Sequence, residues 1–352
     1  MAFYVFSVIV ILLTIFGCSA SPRDAFDPPH ATAADAEAPE DAGEAPVIDN
    51  VEIVKGVPDK NRDPAVVALD IDGNGLCTGT LVSPRIVLTA RHCVSKTVET
   101  VSCPPGSAQV KGEIDPRAIS VLLGDDVASA RVAAHGVVVV APAGITLCDA
   151  DIAYLLLDAP ITGIKPLPIR TRGPAVGDRL RAVGYGRAHD RAPAGEKLLR
   201  EHVKVLGVTF AEFTVGEATC QGDSGGPAID EDSGEIAGVV SRGGPKCEGP
   251  GVHNIYTRTD MFAWLTADAF ARAAALEKGG DAGSGTAPVG SKQKPPSDVG
   301  GPCETGDDCA AGVCVTEGDR RYCSRPCGPG DRCPTRYHCK TTGGASTCIN
   351  VR

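Results

Sequence analysis

Ser224 lies in a glycine-rich stretch, residues 220–227 (CQGDSGGP), whose composition suits nucleophilic catalysis. A serine hydroxyl becomes an effective nucleophile only when a neighbouring base removes its proton. The glycines allow a tight backbone conformation and a close approach by a substrate carbonyl. The amides of Gly222 and Ser224 could then point at one position and bind an oxyanion. A glycine-rich surface turn would use the same residues, so this stretch does not decide the function by itself.

Two further stretches supply a candidate base and a candidate acid. His92 ends an apolar run and stands next to a cysteine. Asp151 precedes the apolar residues 152–157, which predict a largely buried strand. A carboxylate at the mouth of such a strand can orient an imidazole and stabilise its protonated form. We therefore favour Asp151 as the acid, with Asp149 as the alternative, and interpret Asp158 as a turn residue.

The three candidates follow the chain order His, Asp, Ser, whereas two other architectures with the same residue types use other orders. With IVLTARHC around His92, DIAYLLL from Asp151 and GDSGGP around Ser224, residues 53–277 resemble the trypsin/chymotrypsin-like serine protease family. The resemblance implies a serine endopeptidase that works through an acyl-enzyme. Ser224 would be the nucleophile, and the amides of Gly222 and Ser224 would form the oxyanion hole. We expect no cofactor and no metal.

Side chains from three distant stretches need a rigid framework to bring them together. β-Branched runs at 65–71, 137–140 and 205–210 predict strands, and the apolar pattern over 261–277 predicts an amphipathic helix. The resemblance implies an all-β fold. It would consist of two six-stranded Greek-key barrels that meet at the active cleft, followed by the C-terminal helix.

Fifteen cysteines indicate an oxidising compartment, and six of them fall within the protease-like region. The resemblance implies one disulfide beside His92 and another that braces the substrate pocket. The two remaining cysteines would pair by elimination, an inference from parity alone. The expected pairs are Cys77–Cys93, Cys220–Cys247 and Cys103–Cys148.

The resemblance also places a pocket for the substrate residue that precedes the scissile bond, here called the pre-scissile residue. Ala218 stands where trypsin has an aspartate, so a substrate lysine or arginine would find no buried counter-charge. We therefore expect an uncharged pocket that prefers apolar side chains of medium to large size. Its expected lining residues are Ala218, Thr219, Ser241, Gly243 and Gly251.

Ile53 begins the segment IVKG, which resembles the N-terminus that this family creates by proteolytic activation. Cleavage of the Glu52–Ile53 bond would free an ammonium group that pairs with Asp223 and orders the oxyanion loop. An alternative use of the pocket involves His253, which with Thr219 could receive an acidic side chain. The Glu52–Ile53 bond would then be a self-cleavage site.

The N-terminal region has the features of an exported protein. Residues 2–17 are almost wholly apolar and suit a signal peptide, and residues 1–18 end in a lipobox-like segment in which Cys18 would be lipidated. Ordinary secretion and an uncleaved membrane anchor are the alternatives. Residues 19–52 form an acidic tether or propeptide: positions 19–50 hold eight acidic residues and one basic residue. We expect a location in the bacterial cell envelope, as an outer-membrane lipoprotein or in the periplasm, or secretion.

The C-terminal region differs in composition from the protease-like region of 53–277. Residues 278–300 are rich in Gly, Ser, Pro and Lys and predict a flexible linker. Residues 301–352 hold eight cysteines and predict a disulfide-rich module, with zinc as the competing interpretation. Its ligand cannot be inferred from the sequence.

The net charge of −10 argues against nucleic acid as a partner. We expect a monomer that acts on protein or peptide substrates and meets a membrane only through a lipid anchor. The alternative function is a surface-anchored binding protein that uses a protease-like scaffold and the cysteine-rich module.

Overall fold

The computed structural model describes residues 53–103, 108–279 and, further on, 303, 313–317, 320–325, 327, 333, 337–342 and 345–350. Several predicted segments lie outside the described residues. They are the leader 1–18 with Cys18, the acidic segment 19–52 and the linker from residue 280 onward.

Nine strands form the N-terminal half of the described chain, and six of them close into a barrel in the order β2-β3-β4-β9-β8-β7. β4 and β9 are buried along their whole length, which fits their mostly apolar residues. β5 and β6 form a separate two-stranded sheet. The strands are β1 (Val57–Pro58), β2 (Val66–Ile71), β3 (Gly75–Ser83), β4 (Ile86–Thr89), β5 (Ser95–Thr97), β6 (Val110–Glu113), β7 (Ile119–Leu123), β8 (Arg131–Val140) and β9 (Ala153–Leu157).

Six further strands form the second barrel. Their order is β11-β10-β13-β14-β15-β12, and pairing between β11 and β12 closes the ring, while β1 adds to its edge along β11. All neighbouring strands in this barrel run antiparallel. The strands are β10 (Arg179–Gly184), β11 (Leu198–Val208), β12 (Glu212–Val215), β13 (Pro227–Asp230), β14 (Ile236–Arg242) and β15 (Asn254–Arg258).

The helix α1 (Ala263–Glu277) follows β15 after one 3-10 turn, Asp260–Phe262. Its buried side chains Leu265, Ala269 and Ala273 join the core cluster that contains β4 and β9 of the first barrel. The Tyr154 hydroxyl of β9 also lies 2.6 Å from the Thr266 hydroxyl of the helix. The C-terminal helix therefore ties the end of the second barrel to the first, and the predicted two-barrel fold with its helix is confirmed.

The cysteine-rich segment contains two β-hairpins, β16 (Val313–Glu317) with β17 (Arg320–Ser324), and β18 (Tyr337–Thr342) with β19 (Ala345–Asn350). So short a segment has little core, and covalent cross-links replace one. The described disulfides here are Cys303–Cys314, Cys327–Cys339 and Cys333–Cys348.

Arg325 connects this segment to the protease-like region. Its guanidinium lies 5.3 Å from the centre of the Phe210 ring and 3.7 Å from a carboxylate oxygen of Asp149. Phe210 belongs to the turn between β11 and β12. Among the described residues, no helix has both the length and the apolar character needed to cross a membrane.

Candidate active site

The pairing of β4 with β9 brings His92 and Asp151 to the same end of the first barrel. The two strands are antiparallel, with Thr89 opposite Ala153, so the end of β4 lies beside the start of β9. His92 follows β4 on the 3-10 turn Arg91–Cys93, and Asp151 lies two residues before β9. Two positions 59 residues apart thus become neighbours through strand register alone.

Asp151 makes two hydrogen bonds to His92, one of them to the imidazole. The His92 backbone amide donates to Oδ1 at 2.9 Å, and Nδ1 lies 2.8 Å from Oδ2. Ser241, at the end of β14, donates its hydroxyl to the same Oδ2 at 2.7 Å. Asp151 is 1% exposed, so its charge is satisfied by these groups and not by water. The contacts leave Nε2 as the imidazole nitrogen that can exchange a proton with another group.

This pair perturbs the pKa values of both members in opposite directions. Burial alone would lower the pKa of His92, but the charge and hydrogen bond of Asp151 together raise it above its ordinary value. Burial would raise the pKa of Asp151, yet His92 and the hydrogen bonds from His92 and Ser241 hold it below the ordinary value. At neutral pH the carboxylate is therefore ionised and able to stabilise an imidazolium.

Ser224 comes from the second barrel, three residues before β13, and is held against the first. Its carbonyl accepts the Thr78 amide of β3 at 2.8 Å and lies 3.5 Å from the Cys93 sulfur, next to His92. Gly225 has φ +82°, and a Cβ there would overlap the Thr89 hydroxyl, so only glycine fits beside Ser224. In the described structure the His92 and Ser224 side chains do not form a hydrogen bond of normal geometry; such bonds often tighten only when substrate binds.

Thr78 supports the loop that carries the expected oxyanion hole. Its hydroxyl donates to the Gly222 carbonyl at 2.9 Å and accepts the Tyr185 amide at 3.1 Å. Gly222 has φ +104°, a conformation that favours glycine. Sequence reasoning missed Thr78, because its partner lies 144 residues away and no local pattern links them.

Asp223 is fully buried, and its carboxylate accepts backbone amides from Gly186 at 2.8 Å and Cys220 at 2.9 Å. Burial raises its pKa to about 7 against the opposing effect of these hydrogen bonds. It has no ion-pair partner among the residues that the structure describes. Ile53 and Val54 are likewise fully buried, and the Val54 carbonyl accepts a hydrogen bond from Arg200 at 2.8 Å.

The residues expected to line the substrate pocket differ in their exposure to solvent. Ala218, Thr219 and Ser241 are buried, whereas Gly243 is exposed. Gly251 lies on an exposed loop that, with residues 244–246, borders a shallow cavity of about 300 Å³.

His253 lies on the same exposed loop and hydrogen-bonds the Gly251 carbonyl at 2.8 Å. Thr219, the other half of the proposed acid-binding pair, is only 3% exposed. The described contacts therefore give the acidic-pocket alternative no support.

Asn254, which no sequence motif singled out, contacts two of the expected pocket residues. Its side-chain oxygen accepts the amides of Ala218 at 2.7 Å and Thr219 at 3.0 Å, and its nitrogen donates to the Thr219 carbonyl at 3.2 Å. No local pattern singles it out, because its partners lie 36 and 35 residues away.

The structure contains disulfides at all three pairs expected in the protease-like region. Cys77–Cys93 spans β3 and the turn that carries His92, and Cys220–Cys247 joins the loop that carries Ser224 to the exposed loop after β14. Cys103–Cys148 links the loops that follow β5 and β8. The Cys77, His92 and Cys93 ligand atoms lie within 4.8 Å of one another, but the two sulfurs are bonded together, so this group is not suited to a metal.

Three comparisons show which known proteins this chain is similar to. Residues 53–265 match the family model described as Trypsin. The thrombin-like enzyme agkihpin-1 of Gloydius halys is 28% identical over 231 residues, which cover 58% of this chain and 90% of that protein. The inactive snake venom serine proteinase 13 of Crotalus adamanteus is 27% identical over 230 residues, covering 58% and 80%.

A solved structure titled neuropsin, a serine protease expressed in the limbic system of mouse brain, is 23% identical, with a TM-score of 0.48. It covers 60% of this chain and 98% of its own.

Proposed function

Because the chain belongs to the trypsin family, we propose that it is a serine endopeptidase whose triad is Ser224, His92 and Asp151. The observation that carries this proposal is the buried Asp151 carboxylate, which makes two hydrogen bonds to His92 and one to Ser241. A surface turn or a packing histidine would not need a fully buried acid on its Nδ1 side. The order of the three residues and their convergence from both barrels support the same assignment.

The chemistry follows from these positions. The Ser224 hydroxyl attacks the peptide carbonyl while Nε2 of His92 takes its proton, and Asp151 stabilises the imidazolium. The amides of Gly222 and Ser224 bind the oxyanion of the tetrahedral intermediate. His92 then gives its proton to the leaving amine, which forms the acyl-enzyme. Water, deprotonated by His92, attacks the ester and releases the acid product.

Activation by cleavage of the Glu52–Ile53 bond is part of this proposal. The new Ile53 ammonium would pair with Asp223, whose buried carboxylate has amide partners but no cation among the described residues. A buried carboxylate gains most from such a partner. The burial of Ile53 and Val54 supports this arrangement, since the segment that must enter the protein is already inside it.

We also propose export and the five-part layout of 1–18, 19–52, 53–277, 278–300 and 301–352. The disulfides favour an oxidising compartment, and one of the relatives named above is a snake venom protein by name. Lipidation at Cys18, a location in the bacterial cell envelope and a monomeric state complete the proposal. The substrate would be a protein or peptide with an uncharged pre-scissile residue.

A fluorophosphonate probe tests the function, because it reacts with serine hydroxyls that a neighbouring base activates. The full chain, cleaved between residues 52 and 53, should become labelled at Ser224, as mapped by peptide mass spectrometry. H92A should lose labelling. H189A, which changes an exposed histidine outside the site, should retain it.

The second candidate function is a binding protein built on an inactive protease scaffold. The similarity to a relative named inactive favours keeping this alternative. Cleaved protein that stays unlabelled, although folded by circular dichroism, would support the scaffold and reject the peptidase.

A further inference from the structure

We infer that Asn254 forms a raised floor in the substrate pocket and restricts cleavage to bonds that follow small residues such as glycine, alanine and serine. This inference rests on the proposed function. It replaces the preference for medium to large apolar side chains that the sequence predicts.

The position of the Asn254 side chain is fixed by the backbone around it. Both lone pairs of its amide oxygen are taken by the amides of Ala218 and Thr219, and its nitrogen donates to the Thr219 carbonyl. An amide with three backbone hydrogen bonds and only 3% exposure cannot rotate aside without leaving buried polar groups unpaired.

The same side chain reaches across to the opposite wall. Its nitrogen lies 2.7 Å from the point that a Cβ on Gly243 would occupy. We call Gly243, which follows β14, the wall of the pocket, and we call Ala218, at the position of the trypsin aspartate, and its neighbour Thr219 the floor. Asn254 therefore fills the space between wall and floor that a long pre-scissile side chain would need.

Burial of the floor residues supports a shallow pocket. Ala218 is 0% exposed and Thr219 is 3% exposed, whereas Gly243 at the mouth is exposed. A pocket deep enough for a phenylalanine would let water reach its floor. Here Gly243 is exposed, whereas Asn254 and the two floor residues are buried.

The polar group that the pocket offers to a substrate is a hydrogen-bond donor, the side-chain nitrogen of Asn254. An amide nitrogen carries two hydrogens, and the hydrogen bonds between described residues use one of those on Asn254. The second could meet a serine hydroxyl on the substrate, but it provides no counter-charge for lysine or arginine. Small, uncharged pre-scissile residues therefore suit both the size of the pocket and its hydrogen-bonding group.

The test compares peptide p-nitroanilides that differ only in the pre-scissile residue. Cleaved wild-type protein should give a kcat/KM for alanine at least about tenfold above that for phenylalanine. N254G should shift this ratio toward phenylalanine by about tenfold or more, because it removes the floor. N74G, the same substitution in an exposed hairpin of the first barrel, should leave the ratio unchanged.

N254S covers the case in which N254G does not fold, since its hydroxyl can still accept a backbone amide while the blocking nitrogen is gone. Wild-type protein that cuts after phenylalanine as fast as after alanine overturns the inference, as does an unchanged ratio in a folded Asn254 variant. Fluorophosphonate labelling of Ser224 in the same samples separates the two claims. Labelled protein with the wrong preference refutes only the pocket, whereas unlabelled protein refutes the proposed function.

Discussion

At the scale of single residues, Asp151 and Asp149 show how two carboxylates two positions apart receive different environments. Asp151 is 1% exposed and bonded to His92 and Ser241. Asp149 is partly exposed, and its carboxylate faces Arg325. Asp151 therefore acts strongly on the imidazole. The charge of Asp149 is attenuated by water and by the Arg325 guanidinium.

This difference predicts the outcome of two matched substitutions. D151N should lower kcat by about 10⁴-fold, since an amide cannot stabilise the imidazolium and favours the wrong tautomer. D149N should change kcat by less than about tenfold. Steady-state hydrolysis of an alanine p-nitroanilide, with Tm measured alongside, checks both. Equal losses in the two variants would contradict the assignment of the acid.

The raised pKa of His92 predicts the acid limb of the pH profile. His92 must be neutral to accept the Ser224 proton, so activity falls as pH drops through its pKa. Because that pKa lies above the ordinary value of about 6.5, half-maximal kcat/KM should occur above about pH 6.5. A limb whose midpoint lies below about pH 6 would show that another group controls activity.

The catalytic candidates could be predicted from the sequence because each sits in a local motif. The residues that flank His92, Asp151 and Ser224 indicate the strand or loop in which each one lies. Thr78 and Asn254 could not be found in this way, since their partners lie 144 and about 36 residues away. Their roles follow from strand register, which apolar patterns do not determine.

At the scale of elements, the buried Asp223 holds in place the loop that carries Ser224. Its carboxylate holds the amides of Gly186 and Cys220 and so fixes both the loop and the start of the segment after β10. The burial that makes these hydrogen bonds effective also raises the pKa of Asp223 to about 7. The folded loop is therefore destabilised at neutral pH, because ionising the buried carboxylate is unfavourable. A cation placed beside Asp223 would remove this destabilisation.

The raised pKa of Asp223 predicts how the stability of the uncleaved chain changes with pH. The folded pKa is raised, so the folded state retains a proton that the unfolded state releases between about pH 4 and about pH 7. Stability should therefore fall as pH rises through that window. D223N should remove this part of the pH dependence. Urea denaturation at pH 4.5 and 7.5, in an S224A background to prevent self-digestion, measures both.

Cleavage before Ile53 should add an ammonium partner and lower the pKa of Asp223. The cleaved chain should then keep more of its stability at pH 7.5 than the uncleaved chain does. If D223N and its parent respond identically to pH, the carboxylate is paired in some other way and the activation proposal fails.

The strands themselves were largely predictable from composition. The run after Asp151 became β9, and the β-branched run at 137–140 became the end of β8. The helix was expected over 261–277 and begins at Ala263, because residues 260–262 form a 3-10 turn in which Asp260 pairs with Arg258. Closure of each barrel depends on pairing between distant strands, which came only from the family resemblance.

At the scale of the whole molecule, the cysteine-rich module contacts the protease-like region on the side that carries Asp149 and the β11–β12 turn. Arg325 stacks over Phe210 and faces Asp149. Glu212, which begins β12, accepts the Asp149 amide and forms a two-pronged ion pair with Arg242, the neighbour of Ser241. The module is thus connected to the rim of the site through a short series of polar contacts.

This contact predicts a local effect of R325A. Loss of the guanidinium removes a cation–π contact worth about 1 kcal/mol, so backbone exchange in residues 208–212 should become faster. R321A, which changes an exposed arginine on β17, should have no such effect. Hydrogen exchange by mass spectrometry on the full chain measures it. Unchanged exchange in R325A would mean that the module does not dock through this residue.

The proposed mechanism requires a covalent bond between the substrate and Ser224. Chain cleaved between residues 52 and 53 should be mixed with an alanine ester substrate, quenched in acid during turnover and weighed by intact-mass spectrometry. We predict a mass increase equal to one acyl group, located on the peptide that contains Ser224 and absent from S224A. Turnover without an adduct, or an adduct on any other residue, would contradict the account.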